Sequence, residues 1–312
     1  LRDLGFEDAA SVGVKAANLA VLHGLGLPEC AVPEGYALPF YFYDAFMRHN
    51  GLYRRVTAMR AEPGFSENTE LRVKRLKQLR KLIKKGKMPA GMTEALTRVQ
   101  AAFPKGTSIR CRSSTNNEDL PGFSGAGLYD SYTHNPDEGH LGKSVRQVFA
   151  SLWNFRAFEE RAFYRVAHAA TAMGVVLQLA TKEEQANGVA VSRDVLYGTE
   201  EKDGVRFYVN AQVGEDLVTN PEAGSVPEEL LMAPRNPKQD RVIRRSSRTQ
   251  DGAPLLTPEQ LLYLRRALRA VDAHFRALYA PKEDEPFAME VEFKITREGE
   301  LRVKQARPWV FR

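Results

Sequence analysis

The spacing of apolar residues changes character partway along the chain, and this constrains the fold more than any other feature. From Lys143 to Val166 the residues Val145, Val148, Phe149, Leu152 and Phe155 recur at helical spacing and mark one buried stripe. From Met173 onward the period is that of strands: Met173 to Leu179 (MGVVLQL), Gly188 to Ser192 and Arg206 to Val213 read as buried or half-buried strands. The shift falls near Gln178, the expected lobe boundary, with residues 1–177 in one lobe and 178–312 in the other. A chain of 312 residues is long enough for two domains, or for one enzyme domain of two lobes.

Other elements follow from local signals. Lys15 to Leu22 reads as an Ala-rich helix closed by Gly24. A short strand is expected at Tyr36 to Leu38, an aromatic-rich helix at Tyr41 to His49, and a helical insertion over residues 54–103. Thr107 to Arg112 alternates like a strand and leads into a long loop dense in Gly, Ser and Asn. Thr257-Pro258-Glu259-Gln260 is a capping-box start with Pro at the first helical position, opening a helix to about Leu278. A hairpin, Phe287 to Ile295 and Leu301 to Ala306, closes around a turn at Glu298-Gly299.

Composition excludes several classes. Hydrophobic residues make up 43% and charged residues 27%, which argues against disorder. No run of eighteen apolar residues occurs, so no membrane-spanning helix is expected. The first residue is Leu1 rather than Met, so an upstream segment is allowed for, and no signal peptide is seen in the residues shown. Cys30 and Cys111 are far apart and the six histidines are scattered, so neither a disulfide framework nor a zinc site is expected, and the cytoplasm is the expected compartment. Net charge is +6, concentrated in Glu70 to Met88, with nine Lys or Arg against one Glu, and Arg235 to Arg248, with six against one Asp. Leu76, Leu79 and Ile83 recur at helical spacing inside the first run, which therefore reads as the solvated face of an amphipathic helix. Stacking aromatics are not interleaved with the charges, which argues against nucleic acid.

Three segments carry candidate chemistry. Arg112 to Tyr132 (RSSTNNEDLPGFSGAGLYDSY) crowds Gly122, Gly125 and Gly127 with hydroxyl and amide side chains behind a strand. Such backbone can turn several N–H groups onto an anion, with Arg112 adding a fixed charge; an ordinary surface loop has the same composition. In FAMEVEFKI, alternation sets Glu290, Glu292 and Lys294 against Met289, Val291, Phe293 and Ile295. Two carboxylates two residues apart suit Mg²⁺ beside a phosphate, although an i, i+2 acidic pair is more often a solvated face. On the returning strand Leu301 and Val303 are apolar, and the same face turns polar at Gln305 and Arg307. Lys15, at a helix start, opposes the helix dipole unless it meets an anion there; alone it reads as a surface lysine.

Together these segments resemble the nucleotide-binding domain shared by phosphoenolpyruvate synthase, pyruvate phosphate dikinase, rifampin phosphotransferase and glucan water dikinase. SVGVKAANLAVL stands where that family has a G-G-K-A-x-L helix, and CRSSTNNEDLPGFSGAG matches its central signature without a gap. VVLQLA, NGVAVSRD, AQVGEDLV, MEVEF and KQARP follow in the family's order, so the likeness runs from Val12 to Pro308. The resemblance implies an α+β, ATP-grasp-like fold of two lobes holding the nucleotide between them. Carried over residue by residue, it implies that Lys15, Arg112 and Arg307 contact the ATP phosphates, with Gly127 and Ser131 in a lid loop. It likewise implies that Gln178 lies at the adenine and that Glu292 and Gln305, with Glu290 nearby, hold Mg²⁺. Val14 departs from the second glycine of the G-G-K motif, Glu290 stands where several members have Asp, and GVAVSRD lacks the family's proline.

The activity so implied is an ATP-dependent phosphotransferase of dikinase type, passing its phosphoryl group to a histidine or other acceptor expected outside this chain. None of the six histidines sits in a context resembling the family's carrier. The alternatives are an ATP-holding sensing module and a basic scaffold binding an acidic partner through residues 70–88.

Overall fold

The computed structural model describes residues 1–27, 30–117, 125, 127–180, 183–198, 200–201, 204–215, 218 and 224–311. In chain order they form α1 (Ala9–Val12), α2 (Val14–Gly24), β1 (Cys30–Ala31), β2 (Gly35–Leu38), α3 (Phe40–His49), α4 (Leu52–Arg60), α5 (Thr69–Lys85), α6 (Ala90–Ala102), β3 (Ile109–Thr115) and β4 (Tyr132–His134). There follow α7 (Gly142–Ser151), α8 (Phe155–Phe163), β5 (Met173–Leu179), β6 (Ala186–Val191), β7 (Glu200–Glu201), β8 (Gly204–Val205), β9 (Phe207–Val213), β10 (Glu228–Met232), β11 (Arg241–Arg244), α9 (Pro258–Tyr279), β12 (Met289–Ile295) and β13 (Leu301–Pro308). The class is mixed α+β, as expected.

The chain divides into two compact units: Leu1 with Asp3–Ala17 and Glu34–Ala180, and Arg2 with Asn18–Pro33 and Thr181–Arg312. Asn18–Pro33, counted with the first lobe on sequence grounds, groups with the second unit through remote contacts. Asn18 Nδ2 donates to the Ala306 carbonyl at 3.0 Å, and β1 pairs in parallel with β13, Cys30 opposite Leu301. Gln178, placed in the second lobe from the sequence, lies in the first unit at the end of β5.

The first unit is built on an antiparallel sheet of order β2-β5-β3-β4. Alternation sends Ile109 and Cys111 of β3, Val175 and Leu177 of β5 and Leu38 of β2 into one core with Tyr43, Phe46, Phe149 and Trp153. Helix α5 is amphipathic as expected: Leu76, Leu79 and Ile83 are buried while Lys74, Lys77 and Lys81 are exposed. Arg72 pairs with Glu159 and Arg75 with Glu62 on its flanks.

The single helix expected from Lys143 to Val166 is two. Leu152, Trp153 and Asn154 each bond back three residues rather than four, and Asn154 turns extended. Arg165 then takes a left-handed conformation (φ 57°) and ends α8 early. Burial explains the break. Trp153 turns inward, its Nε1 donating to the Tyr43 hydroxyl at 3.0 Å, and the fully buried Arg161 donates to the Leu152 carbonyl at 2.7 Å. Arg161 Nε also donates to His168 Nδ1 at 3.3 Å, and His168 stacks on Phe158 at 3.9 Å.

Burial, and secondarily the Arg161 charge, hold the His168 pKa down at about 4. A histidine whose folded pKa is depressed contributes stability above its unfolded pKa and loses it as pH falls toward the folded value. Stability is therefore expected to fall between about pH 6.5 and about pH 4 as the unfolded chain gains this proton. His168→Gln, which keeps an acceptor for Arg161, should flatten that part of the curve. Urea titrations across the window measure it, and an unchanged slope would contradict the assignment.

The second unit holds a seven-stranded sheet of order β1-β13-β12-β6-β9-β10-β11. Strands β10 and β11 carry no clean alternation and were not expected. All five residues of β10 are buried because its acids are satisfied from neighbouring elements: Glu228 by Arg245 at 2.9 Å and Glu229 by Arg244 at 3.2 Å. The second basic run thus neutralises acids of its own sheet. Helix α9 begins in the expected capping box, Thr257 Oγ1 accepting from the Gln260 N–H at 3.2 Å and Gln260 Oε1 from the Thr257 N–H at 2.9 Å. It packs against β12 and β13, burying Leu264, Leu268, Val271 and Phe275. No described helix is long and apolar enough to cross a membrane. Cys30 and Cys111 are both buried, and among the described residues neither forms a disulfide.

Candidate functional site

In the first unit, the sheet face opposite the helical core carries the candidate phosphate contacts. Arg110, Arg112 and Ser114 alternate away from Ile109 and Cys111 on β3, opposite Gln178, Val176 and Gly174 of β5. Lys15, at the start of α2, donates Nζ to the Ser113 carbonyl at 2.8 Å, one residue from Arg112. Ser131 directly precedes Tyr132, the first residue of β4, which pairs with Cys111. The fold therefore brings Lys15 onto the strand that bears Arg112, with Ser131 just ahead of the neighbouring strand. Gln178 sits two residues further along the same face, buried against Gly35 and level with Arg110. Gly127 lies outside the strands, with a φ of 68° that suits glycine. The E-D-L-P part of the signature, Gly122, and Asp216 and Leu217 of the G-E-D-L-V segment lie outside the described residues.

In the second unit, register decides which side chains meet. Strict alternation along β13 keeps Gln305 and Arg307 on the apolar face of Leu301 and Val303, as the sequence suggested. The structure corrects this. The ladder shifts between Glu292 and Phe293, so that Phe293 faces Val303 while Glu292 faces Gln305, with Lys304 as the extra residue of a β-bulge. Beyond the bulge parity is reversed: Ala306 joins Val291 on the apolar side, and Arg307 stands opposite Glu290. One inserted residue thus places Gln305 and Arg307 on the face of Glu290 and Glu292.

Glu290 is 7% exposed, and Arg307 donates to its Oε1 from Nε at 2.7 Å and from Nη2 as well. Burial raises the Glu290 carboxyl above its ordinary range, against the opposing pull of Arg307. Glu292 is half-buried and Gln305 buried. The same row continues through Val189 to Asn210 and Glu229. Asn210 was missed by sequence reading; its Oδ1 is buried and meets no hydrogen-bond partner among the described residues. Only its place in the G-V-x-V and N-A-Q strand pairing could have signalled it. Glu229 accepts from the Tyr208 hydroxyl at 2.6 Å and the Tyr197 hydroxyl at 3.0 Å, which bounds the row.

The donors on this face are all oxygens, the chemistry hard divalent cations select. Among the described residues no cluster of three or more His, Cys, Asp or Glu could hold a metal. Two carboxylates and the Gln305 amide instead fit Mg²⁺, which is usually held by one or two carboxylates together with substrate phosphates. The Asn210 oxygen in the same row, unpartnered among the described residues, is a further acceptor of the right kind.

One face, in the first unit, bears a lysine and an arginine, and the other, in the second unit, bears two carboxylates, an amide and an arginine. The chain belongs to the pyruvate phosphate dikinase AMP/ATP-binding domain family, whose sequence model matches residues 9–311. Phosphoenolpyruvate synthase of Deinococcus radiodurans is 23% identical over 98% of this chain and 40% of its own length. The prodigiosin synthesizing transferase PigC of Serratia marcescens is 26% identical over 96% of this chain and 33% of its own length. Phosphoenolpyruvate synthase of Escherichia coli is 27% identical over 82% of this chain and 33% of its own length. The chain thus spans well under half the length of these relatives. Among solved structures, D-cycloserine synthetase DcsG is similar over 94% of this chain and 61% of that one, with 12% identity and a TM-score of 0.37.

Proposed function

We propose that this chain binds Mg·ATP and passes a phosphoryl group to a histidine or another acceptor outside these residues. The observation that carries the reading is the parity switch in β13, which sets Arg307 and Gln305 beside Glu290 and Glu292. Recognition of adenine alone needs none of these four. In this reading Lys15, Arg112 and Arg307 hold the phosphates, Glu292 and Gln305 hold the cation with Glu290 alongside, and Gln178 serves adenine. Gly127 and Ser131 cover the phosphates, in an ATP-grasp-like arrangement. Mg²⁺, when bound, neutralises phosphate charge. The residues' own work is positioning and stabilising charge that develops as the phosphoryl group leaves, which is what phosphoryl transfer chiefly requires.

Calorimetry with ATP and with GTP, with and without Mg²⁺, tests it. Binding of Mg·ATP at millimolar concentration or tighter is expected, with ATP preferred. Glu292→Gln should weaken the Mg²⁺ dependence more than Glu290→Gln, because Glu290 is already engaged by Arg307. No heat with either nucleotide in Mg²⁺ would sink the proposal, and dominance of Glu290 would reassign the cation ligand.

A further inference from the structure

The helix that carries Lys15 has no capping side chain of its own. The position before α2, where a helix commonly supplies a side-chain oxygen to a first-turn N–H, is Gly13, with φ 89°. The oxygen comes instead from the sheet. Ser114 Oγ of β3 accepts from the Ala16 N–H at 3.1 Å in a buried contact. Its neighbour Ser113 accepts from Lys15 Nζ through its carbonyl. Two consecutive serines of the strand that bears Arg112 thus hold two consecutive residues of the helix start.

Two glycines make room for this contact. A Cβ on Gly13 would lie 2.4 Å from Ser114 Oγ and 2.7 Å from the Ser114 carbonyl carbon. One on Gly174, opposite Ser114 in the ladder, would lie 2.7 Å from the Val12 oxygen and 3.0 Å from the Ser114 oxygen. Neither approach leaves room for a side chain. Lysine is a point charge on a flexible stem, so where its ammonium can reach depends on where its backbone begins. The first turn of a helix has N–H groups with no partner inside the helix, and it is the turn that frays when they go unmet.

We propose that Ser114 is a positioning residue for ATP: it caps the Lys15 helix from the neighbouring strand and so fixes the ammonium beside Arg112. The inference rests on the phosphate role given to Lys15 above and names the group that sets it. The hydroxyl itself touches no phosphate; it acts through the lysine.

A double-mutant cycle on the full chain tests this, with Mg·ATP affinity measured by calorimetry and folding checked by circular dichroism. Lys15→Ala should weaken binding. Ser114→Ala should weaken it about five- to tenfold, the scale of a lost helix cap. The double variant should bind no more weakly than Lys15→Ala alone, because the serine acts through the side chain already removed. Gly13→Ala, which keeps the hydroxyl but sets a methyl against it, should reproduce the loss and likewise vanish in the Lys15→Ala background. It stands in for Ser114→Ala should that variant not fold. A serine that merely supports the fold leaves affinity unchanged, or adds its full loss to that of Lys15→Ala, and either result overturns the proposal. If Lys15→Ala binds ATP as the wild type does, the phosphate role of Lys15 falls and this inference with it, which separates the two failures.

Discussion

Replacing Arg307 with alanine is expected to slow phosphoryl transfer from ATP by about a hundredfold or more while changing ATP affinity far less. The asymmetry follows from where the charge acts. A guanidinium aimed at phosphate oxygens gains most as negative charge builds in the transition state, and removing one such donor is felt mainly in the rate. Arg112→Ala should behave the same way, since Arg112 shares its face with Lys15. Arg307 has a second partner, the buried Glu290, so its loss also leaves a carboxylate unsupported. Arg307→Lys separates the effects: it restores a positive charge near Glu290 but not the two-pronged fork, so it should recover stability more than rate. Single-turnover measurements with labelled ATP, set beside calorimetric affinities, decide the matter. Equal and modest losses in both would instead favour a module that holds ATP without turning it over.

Trp153→Ala should cost about 3–5 kcal/mol, the usual range for emptying a large buried aromatic site. Trp153 is 2% exposed, and its Nε1 bonds the hydroxyl of Tyr43, itself 1% exposed. Truncation opens a cavity at the α7–α8 junction and leaves a buried hydroxyl without its partner, and the two costs add. Trp153→Phe removes the hydrogen bond but keeps most of the ring, and should cost less than half as much. Urea unfolding of both variants measures this. A loss under about 1 kcal/mol for the alanine variant would mean the site collapses around the gap, and that the helix break has another cause.

Elements whose signals are local were legible. Met173–Leu179 is a strand over the residues its apolar run marked, because a strand buried on both faces reads as continuous hydrophobics. The stripe Leu76, Leu79 and Ile83 placed the buried side of α5, and the Thr257 capping box placed the start of α9. Elements that depend on remote partners were not. The break after Ser151 interrupts a good helical pattern because Trp153 and Arg161 gain more from the core than from another turn. Strand β11 is exposed throughout, and only its pairing with β10 makes it a strand.

The candidate site divides along the same line. Sequence by itself determined which chemistry is present: the lysine at a helix start, the arginine ahead of two serines, the acids two apart on one strand, and the family that has them in this order. Tertiary structure decided which of these side chains meet. Alternation assigned Gln305 and Arg307 to the wrong face, and the bulge at Lys304 returned them to the acids. Helix α2 shows no cap in its own sequence, yet finds one in Ser114. The physical reason is range. Period and cap preferences are fixed by neighbours a few residues apart, whereas register, bulges and a cap supplied from another strand are fixed by which distant backbones pack together.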